Sequence, residues 1–471
     1  MDKLNHLLLK TTIKQNFIIL LLISIFVGTI AVKFPFLSWI AITGFALMFL
    51  TFTFPSEVFF IFLFLLFSLG DYFGAFPIVI GGFNFYGADY FLVLLIILLI
   101  KKKNFRIKTP ISTLLIVYII YGFFCMINGY FYHNYELNRT IGEFRRFFYY
   151  PLSFFLGLNI IRENKDIRKL EKIMPFIPIV IMIFALRRIL TGISWSPDIH
   201  KTPQDFRAMA YYDGVGLLFI FSYFISIFFI KKKLNLFKII IPILIPVFII
   251  FSGFRLLWAL LFLSLIIPIW WTFKLGKVTK RYVRYLFYAL IIIFISLMVF
   301  KLAGGKYYEI MKEKFVENIL HYEGFKEGWR YFAWSNALSK FSSSPIFGIG
   351  LGEDPTFWII SSTGKWFQTT HPPHNAFIEI LYQTGSIGAL LFLLIIFKYG
   401  IYVYKNSRKI NEDVQPIVIA LFVLFICGLI QSLFQPYLNH PGNGVIFFSA
   451  MGIAIRLIQI SKKSNKKFVN K

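Results

Sequence analysis

The sequence QPIVIALFVLFICGLIQSLF, residues 415–434, is a 20-residue run that contains no charged side chain. A helix needs about 20 consecutive apolar residues to cross the hydrocarbon core of a bilayer, so this run predicts a membrane-spanning helix. Similar runs recur along the whole 471-residue chain, of which 58% is hydrophobic and 15% is charged. A soluble domain carries about 25% charged residues. The chain is therefore predicted to be an all-α polytopic membrane protein.

The apolar runs predict about 12 to 14 spans, because the shortest runs are ambiguous. The run at 56–70 could be re-entrant, and 36–54 could pair with its neighbour as a hairpin. Basic residues precede the first run without a small-residue cleavage site after it, which predicts a retained first helix. A single transmembrane domain then extends over residues 1–471. The predicted spans are 15–33, 36–54, 56–70, 86–101, 111–131, 147–161, 173–190, 210–230, 236–251, 255–272, 285–302, 375–397, 415–434 and 443–460.

The excess of basic residues gives the orientation. The chain has 49 Lys and Arg against 22 Asp and Glu, a net charge of +27. Most of the basic residues lie in short segments between apolar runs, which is the pattern of cytoplasmic loops under the positive-inside rule. The expected partner of this basic chain is therefore the lipid bilayer and not nucleic acid. Both termini are predicted to be cytoplasmic, including a basic tail at 461–471.

The same rule places the large polar segment 304–374 on the outer side of the membrane. Between residues 305 and 342 apolar residues recur at helical spacing, which predicts amphipathic helices that lie on the membrane or cap the bundle. The sequence SSSPIFGIGLG, residues 342–352, then predicts a turn-rich connection.

Several arginines fall on the predicted outer side, against the overall charge distribution. For any single arginine, contact with lipid phosphates is an equally good explanation. Several on one face favour a site for an anionic lipid head group, above all a diphosphate, because guanidinium groups bind phosphate through two hydrogen bonds and keep their charge. The candidate residues are Arg139, Arg145, Arg146, Arg207, Arg255 and Arg330.

His374 stands at the boundary between the outer segment and the predicted span 375–397. It follows two prolines, which stiffen the chain, and precedes Asn375, which is suited to cap the helix that begins there. Such a histidine can be a structural hydrogen-bonding residue or a general base for a hydroxyl group. A metal site is not expected, because the chain has seven histidines and its two cysteines, Cys125 and Cys427, lie in apolar spans.

Two glycines, Gly385 and Gly388, lie in the same predicted helix. Their spacing predicts close packing of this helix against a neighbour through small residues.

The order His374-Asn375, nine residues, Gly385, two residues, Gly388 resembles the H-[NSQ]-x9-G-x-x-G pattern of bacterial O-antigen ligases. The resemblance extends over about residues 205–400 to the wider O-antigen ligase and polymerase family. The outer segment also resembles that family, and so does the turn at 252–255, although Phe254 separates its small residues from the arginine. The outer residues that match are Arg330, Trp334, Ala337, Pro345, Gly348 and Gly350.

This resemblance implies a GT-C-like helical bundle with one large periplasmic loop, in the bacterial inner membrane. It implies a metal-independent, inverting glycosyltransferase without a cofactor, which moves a glycan from undecaprenyl diphosphate to an acceptor sugar on the periplasmic side. In the family, His374 would be the base on the acceptor hydroxyl, and Arg255 and Arg330 would bind the diphosphate. The remaining arginines and Asn375 are expected to bind substrate by their placement alone.

The acceptor stays open. In a ligase it is lipid A–core oligosaccharide, and the complete histidine pattern favours this reading. In a polymerase it is a second lipid-linked repeat unit, as in the assembly of a capsule or an exopolysaccharide. A protein-glycosylating relative is a smaller alternative. A polysaccharide transporter or flippase is the alternative from another class, in which the arginines would line a path through the bilayer.

Overall fold

The computed structural model describes residues 46–70, 77–80, 83–101, 105–191, 207–230, 236–274, 298, 329–353, 356–360, 366–370, 372–407 and 410–469. The predicted spans 15–33 and 285–302 lie outside these residues, apart from Met298. So does the part of the predicted amphipathic region before Trp329.

The chain divides into two compact units, Met1–Phe59 and Phe60–Lys471. Helix α1 (Ala46–Thr53) belongs to the first unit. After one residue it is followed by helix α2 (Pro55–Ser68), which continues into the second unit, and the two helix axes differ by 119°. The bend falls at Phe54, because a residue before proline is disfavoured in the helical conformation. A sharp bend here agrees with the predicted re-entrant or hairpin arrangement.

Helices make up most of the second unit, in which two short antiparallel hairpins also occur. The strands are β1 (Pro77–Ile80), β2 (Phe83–Tyr86), β3 (Thr356–Ile360) and β4 (Trp366–Thr370). The helices are α3 (Tyr90–Lys101), α4 (Ser112–Ile127), α5 (Leu137–Phe144), α6 (Ser153–Ile160), α7 (Asn164–Ile173), α8 (Phe176–Thr191), α9 (Tyr211–Ile230), α10 (Leu236–Phe251), α11 (Arg255–Lys274), α12 (Trp329–Ser343), α13 (Ala376–Ser407), α14 (Gln415–Phe434) and α15 (Pro441–Val469).

Among the described residues, seven helical segments are long and apolar enough to cross a membrane, or eight when α1 and α2 count as one bent span. The protein is thus an all-α polytopic membrane protein, as the sequence predicted. The predicted spans 86–101, 147–161 and 236–251 correspond to shorter helices. The total of 12 to 14 spans remains a prediction, because part of the chain lies outside the described residues. The seven segments are Ser112–Tyr132, Lys165–Thr191, Tyr211–Ile230, Arg255–Lys274, Ala376–Ser407, Gln415–Phe434 and Pro441–Lys462.

A close helix crossing in the core joins α6 and α15. A Cβ atom added at Gly452 would lie 2.7 Å from the backbone nitrogen of Leu158, so only glycine allows this approach. Hydroxyl groups bridge the same interface, since Ser153 Oγ donates to Val445 O at 3.1 Å and Ser449 Oγ to Ser153 O at 3.2 Å. Small residues at a helix interface are the expected means of tight packing in a membrane.

Basic and polar contacts gather at one end of the spans. Arg456 Nε donates to Ile161 O at 2.8 Å, and the Asn411 backbone N–H donates to Ser461 Oγ at 2.7 Å. Trp271 Nε1 donates to Ser407 Oγ at 2.9 Å near the last residues of α11 and α13. The opposite ends of these helices, at Arg255, Ala376 and Pro441, therefore lie on the other side of the bundle.

Candidate active site

Helix α12 brings two of the predicted catalytic residues together. The ring of Trp329 meets the ring of His374 edge to face, with 4.8 Å between centroids and 87° between planes. Arg330 Cζ lies 5.6 Å from the centroid of the same Trp329 ring. One turn further on, Trp334 Nε1 donates to Pro373 O at 2.8 Å. The helix therefore holds the segment that carries His374 at two points and places a guanidinium group beside it.

The backbone at His374 is strained and fixed. Its φ of 53° lies in the left-handed region, which is uncommon for a residue other than glycine and costs on the order of 1–3 kcal/mol. The next residue starts α13, because Asn375 Oδ1 accepts hydrogen bonds from the backbone N–H groups of Phe377 and Ile378, both at 3.1 Å. The predicted helix cap is thus confirmed, and a substrate contact for Asn375 remains a prediction.

The glycine pattern has a different physical role from the one predicted. Gly385 has φ 66° and ψ −171°, so it breaks α13, and the predicted close packing between two helices is wrong for this residue. The turn-rich segment 342–352 enters the break. Ile349 N donates to Tyr382 O and Gly350 N to Gln383 O, both at 3.0 Å, and Ser386 N donates to Pro345 O at 2.9 Å.

Helix α4 completes the hydrogen bonding of the break. Tyr121 Oη donates to Thr384 O at 2.8 Å, so three successive carbonyl groups left free by the break have partners. The Gly388 backbone leaves room for this contact, since a Cβ atom there would lie 3.1 Å from Tyr121 Cε1. The nine residues between Asn375 and Gly385 form a rigid segment of about 14 Å, at 1.5 Å per residue, between His374 and the docked outer turn.

Arg330 carries a charge without a counter-charge. Its Nε atom is buried and has no hydrogen-bond partner, and no acidic side chain pairs with it in the described part of the chain. Burial lowers the pKa of Arg330 below its usual value. A half-buried guanidinium without an anion is partly desolvated, so an anionic ligand bound here would be favoured.

Arg255 begins α11, directly after the tight turn that the sequence indicated. In that turn Gly253 has φ 72°, and Phe254 N donates to Ser252 Oγ at 3.2 Å. The Arg255 side chain is exposed. Arg207 Cζ lies 4.1 Å from the centroid of the Phe254 ring, so a second guanidinium lies beside the same turn.

A cavity of about 350 Å³ opens between the helix ends on the side of Arg255 and Ala376. Its wall includes Pro372, two residues before His374, and Tyr211, whose ring lies 6.0 Å from that of Phe254. The cavity therefore lies close to both segments, although Arg255, Arg330 and His374 are not among its lining residues. The lining residues are Asn84, Tyr86, Asn138, Ile141, Gly142, Arg145, Arg146, Tyr150, Tyr211, Pro372, Pro436, Asn439, His440 and Pro441.

Two further predicted arginines, Arg145 and Arg146, line this cavity, but both are neutralised. Arg145 forms an ion pair with Asp89, and Arg146 Nη1 lies 2.9 Å from Glu143 Oε1. The sequence suggested that they offer free positive charge to a lipid head group. They do not, because acidic side chains already balance their charge. Arg139 does not line the cavity, although its neighbour Asn138 does.

Sequence reasoning missed the buried polar groups behind the cavity. Glu379 Oε2 accepts from Asn439 Nδ2 at 2.6 Å, and Gln383 Nε2 donates to Glu143 Oε2 at 3.3 Å. Glu379 and Gln383 are four residues apart, so they share one face of α13. The sequence did contain a signal for them. Ionisable residues inside apolar helices are energetically costly, so they usually have a function.

The two hairpins were also missed, and the large outer segment was predicted to be helical up to 342. Trp366–Thr370 and Thr356–Ile360 are rich in aromatic and β-branched residues, which favour strands. For the first hairpin the signal was the Gly-Gly dipeptide at 81–82 between two such runs. Within the described ranges, no group of three or more His, Cys, Asp or Glu side chains could hold a metal ion.

Comparison with known proteins identifies the region that contains these residues. Residues 240–393 match the family model described as O-antigen ligase, and the match includes Arg255, Arg330 and His374. This part of the chain is therefore similar to the O-antigen ligase family. The break at Gly385 and the turn that fills it lie inside the O-antigen ligase match as well.

Two curated relatives are similar to parts of the chain. A protein named as a polysaccharide ligase in Rickettsia conorii (strain ATCC VR-613 / Malish 7) is 30% identical over 109 residues, which are 22% of this chain and 26% of the relative. The exopolysaccharide production protein ExoQ of Rhizobium meliloti (strain 1021) is 26% identical over 145 residues, 27% of this chain and 31% of the relative. The matches thus span less than a third of either relative's length.

Proposed function

We propose that this protein is a glycosyltransferase that moves a glycan from undecaprenyl diphosphate to a sugar hydroxyl of an acceptor. The observation that carries the proposal is the pairing of His374 with the half-buried guanidinium of Arg330, which has no acidic partner among the described residues, both against Trp329. A base and an anion-binding cation side by side are the two groups that this transfer requires.

In the proposed reaction, the diphosphate of the donor binds Arg330 and Arg255. His374 accepts the proton of the acceptor hydroxyl while the hydroxyl oxygen attacks the anomeric carbon. The bond between that carbon and the diphosphate oxygen breaks, the configuration inverts, and undecaprenyl diphosphate leaves with its electron pair. The arginines stabilise the negative charge that grows on the leaving group, an effect on the order of 10²–10³ in rate for each donor group. The residues require neither a metal ion nor a cofactor for these steps.

The charges of the cavity wall are already paired, which supports separate binding places for the diphosphate and for a sugar of the substrate. Arg145 and Arg146 are paired with acids, whereas the wall also offers amide and phenol groups from Asn84, Asn138 and Tyr150. Such groups suit the hydroxyls of a sugar. We therefore assign the diphosphate to Arg330 and Arg255 and a sugar portion of a substrate to the cavity.

The site is proposed to face the periplasm across the bacterial inner membrane. Basic residues such as Arg162 and Arg456 lie at the opposite ends of the helices, where Arg456 Nη2 donates to Arg162 O at 3.1 Å. The positive-inside rule assigns that end to the cytoplasm, and we propose that both termini lie on the same side.

The acceptor is proposed to be lipid A–core oligosaccharide, as in an O-antigen ligase, because the complete pattern from His374 to Gly388 is present. The second candidate is a polymerase that joins two lipid-linked repeat units, which the similarity to an exopolysaccharide production protein favours. The test supplies purified protein in lipid nanodiscs with undecaprenyl-diphosphate glycan and, separately, each acceptor. Transfer to lipid A–core supports the ligase, chain extension of the lipid-linked glycan supports the polymerase, and transfer to neither acceptor contradicts the proposal.

A further inference from the structure

Behind the cavity, two buried carboxyl groups face one guanidinium. Glu143 and Glu379 interact electrostatically with each other and with Arg146. Both glutamates are almost fully enclosed, at 8% and 2% exposed. In a medium of low dielectric constant, two carboxylates and one cation leave one negative charge without compensation. The remaining arginine of the cavity, Arg145, cannot supply it because Asp89 already pairs with it.

The hydrogen bonds show which of the two carboxyl groups has fewer donors to stabilise a negative charge. Glu143 accepts from Arg146 Nη1 at 2.9 Å and from Gln383 Nε2 at 3.3 Å, so both of its oxygens have donors. Glu379 has a donor for Oε2 alone, Asn439 Nδ2 at 2.6 Å, and its Oε1 is buried with no partner among the described residues. A buried oxygen without a donor is far more costly on a charged carboxylate than on a neutral carboxylic acid.

We propose that Glu379 is held as a neutral carboxylic acid and serves as a positioning residue. It fixes Asn439 in the cavity wall to the first segment of α13, the segment whose cap directly follows His374. The cavity wall and the proposed base are then held at a fixed position relative to each other. This inference rests on the proposed function only for its effect on transfer, since the protonation state itself is a property of the protein without substrate.

The groups that face Glu379 come from three elements. Glu143 and Arg146 come from residues 137–149, Tyr382 from the same helix, and Asn439 from the connection before α15. Glutamine has the shape of the protonated acid and can still accept from Asn439. Leucine has a similar volume, but it leaves the Asn439 amide without an acceptor, which is costly in a buried position.

The first test measures the infrared C=O stretch of protonated carboxylic acids in the purified protein at neutral pH. We expect a band in the wild type that disappears in Glu379→Gln and persists in Glu163→Gln, an exposed control at the opposite end of the bundle. A spectrum in which Glu379→Gln removes no such band overturns the proposal, whether or not the protein transfers glycans.

The second test measures transfer and thermal unfolding of two variants across pH. Glu379→Gln should keep the wild-type rate at neutral pH and lose the decline that ionisation of Glu379 causes in the wild type at alkaline pH. Glu379→Leu should lose about tenfold or more in rate, because it strands the Asn439 donor. Inactive Glu379→Gln that unfolds at the wild-type temperature would overturn the positioning role, as would a fully active Glu379→Leu. Absence of transfer in the wild type would instead count against the proposed function.

Discussion

The ring of Trp329 lies edge to face against the ring of His374, 4.8 Å away between centroids, and the same ring also contacts the guanidinium of Arg330. The indole therefore contacts both the proposed base and the proposed phosphate ligand. Because Trp334 also holds Pro373, the segment that carries His374 is fixed to α12, the helix that carries Arg330. This arrangement explains why an arginine and a tryptophan one helical turn apart precede the histidine in the sequence.

The first prediction concerns the base. His374→Ala should lower glycan transfer by about 10²–10⁴, the usual contribution of general base catalysis, while the protein inserts and folds normally. The measurement is transfer by purified protein together with its thermal unfolding. His133→Ala is the matched control, because His133 is exposed, stacks on Tyr135 and is not one of the residues assigned to the site. Near-normal transfer by His374→Ala would remove the histidine from the mechanism.

The second prediction concerns the geometry of the cation. Arg330→Ala should lower the rate of transfer by about 10²–10³. Arg330→Lys keeps the positive charge but loses the planar pair of donors, so it should show much of the same loss. Both variants should be compared with Arg168→Ala, an exposed arginine on α7. If Arg330→Lys is as active as the wild type, a point charge suffices and bidentate binding of phosphate is wrong.

The third prediction compares two glycines of α13. Gly385→Ala should destabilise the protein by about 1–3 kcal/mol, because alanine resists a φ of 66° and the outer turn leaves no room for its Cβ. Gly400→Ala should instead be neutral or stabilising by up to about 1 kcal/mol, because nothing lies within 4 Å of its added Cβ. Thermal unfolding in detergent measures both. Equal effects of the two substitutions would mean that the break at Gly385 is not required.

The fourth prediction concerns acid stability. Burial lowers the pKa of His440 from 6.5 to about 4, and neither ring nitrogen has a partner within the part of the chain that the structure describes. Between these pH values the unfolded chain binds a proton that the folded protein does not, so stability falls as the pH drops from 6.5 to 4. The loss amounts to up to about 3 kcal/mol.

His440→Phe should remove this contribution and keep the stacking on Tyr212, whose ring centroid lies 4.6 Å away. The measurement is the difference in unfolding temperature between wild type and variant from pH 7.5 to pH 4, in which the titration of other groups cancels. A difference that does not change with pH would contradict the buried, neutral state of His440.

The sequence allowed the class of fold and one local feature of the site to be predicted. Apolar runs of helical length located α9, α11 and α14 to within a few residues. Asn375 caps its helix as expected, because a cap depends on residues next to each other in the chain. The arginine, tryptophan and alanine that match the family pattern could also be placed from local spacing, because residues 330, 334 and 337 share one face of α12.

The remainder depends on contacts between distant parts of the chain. Nothing near Gly385 indicates that residues 345–351 supply the hydrogen bonds of a broken helix. Likewise, Arg145 looks like a free cation in the sequence, because its partner Asp89 lies 56 positions away. The partner of Arg146 was a local signal that the sequence did contain, since Glu143 lies only three residues before it.

The central claim is that Arg330 binds the diphosphate and His374 acts on the acceptor. It is tested most directly by measuring the affinity of undecaprenyl diphosphate and the rate of glycan transfer for the same three proteins: wild type, His374→Ala and Arg330→Ala. We predict that His374→Ala binds undecaprenyl diphosphate as the wild type does but transfers no glycan, and that Arg330→Ala loses both. Unchanged binding of undecaprenyl diphosphate by Arg330→Ala would contradict the account.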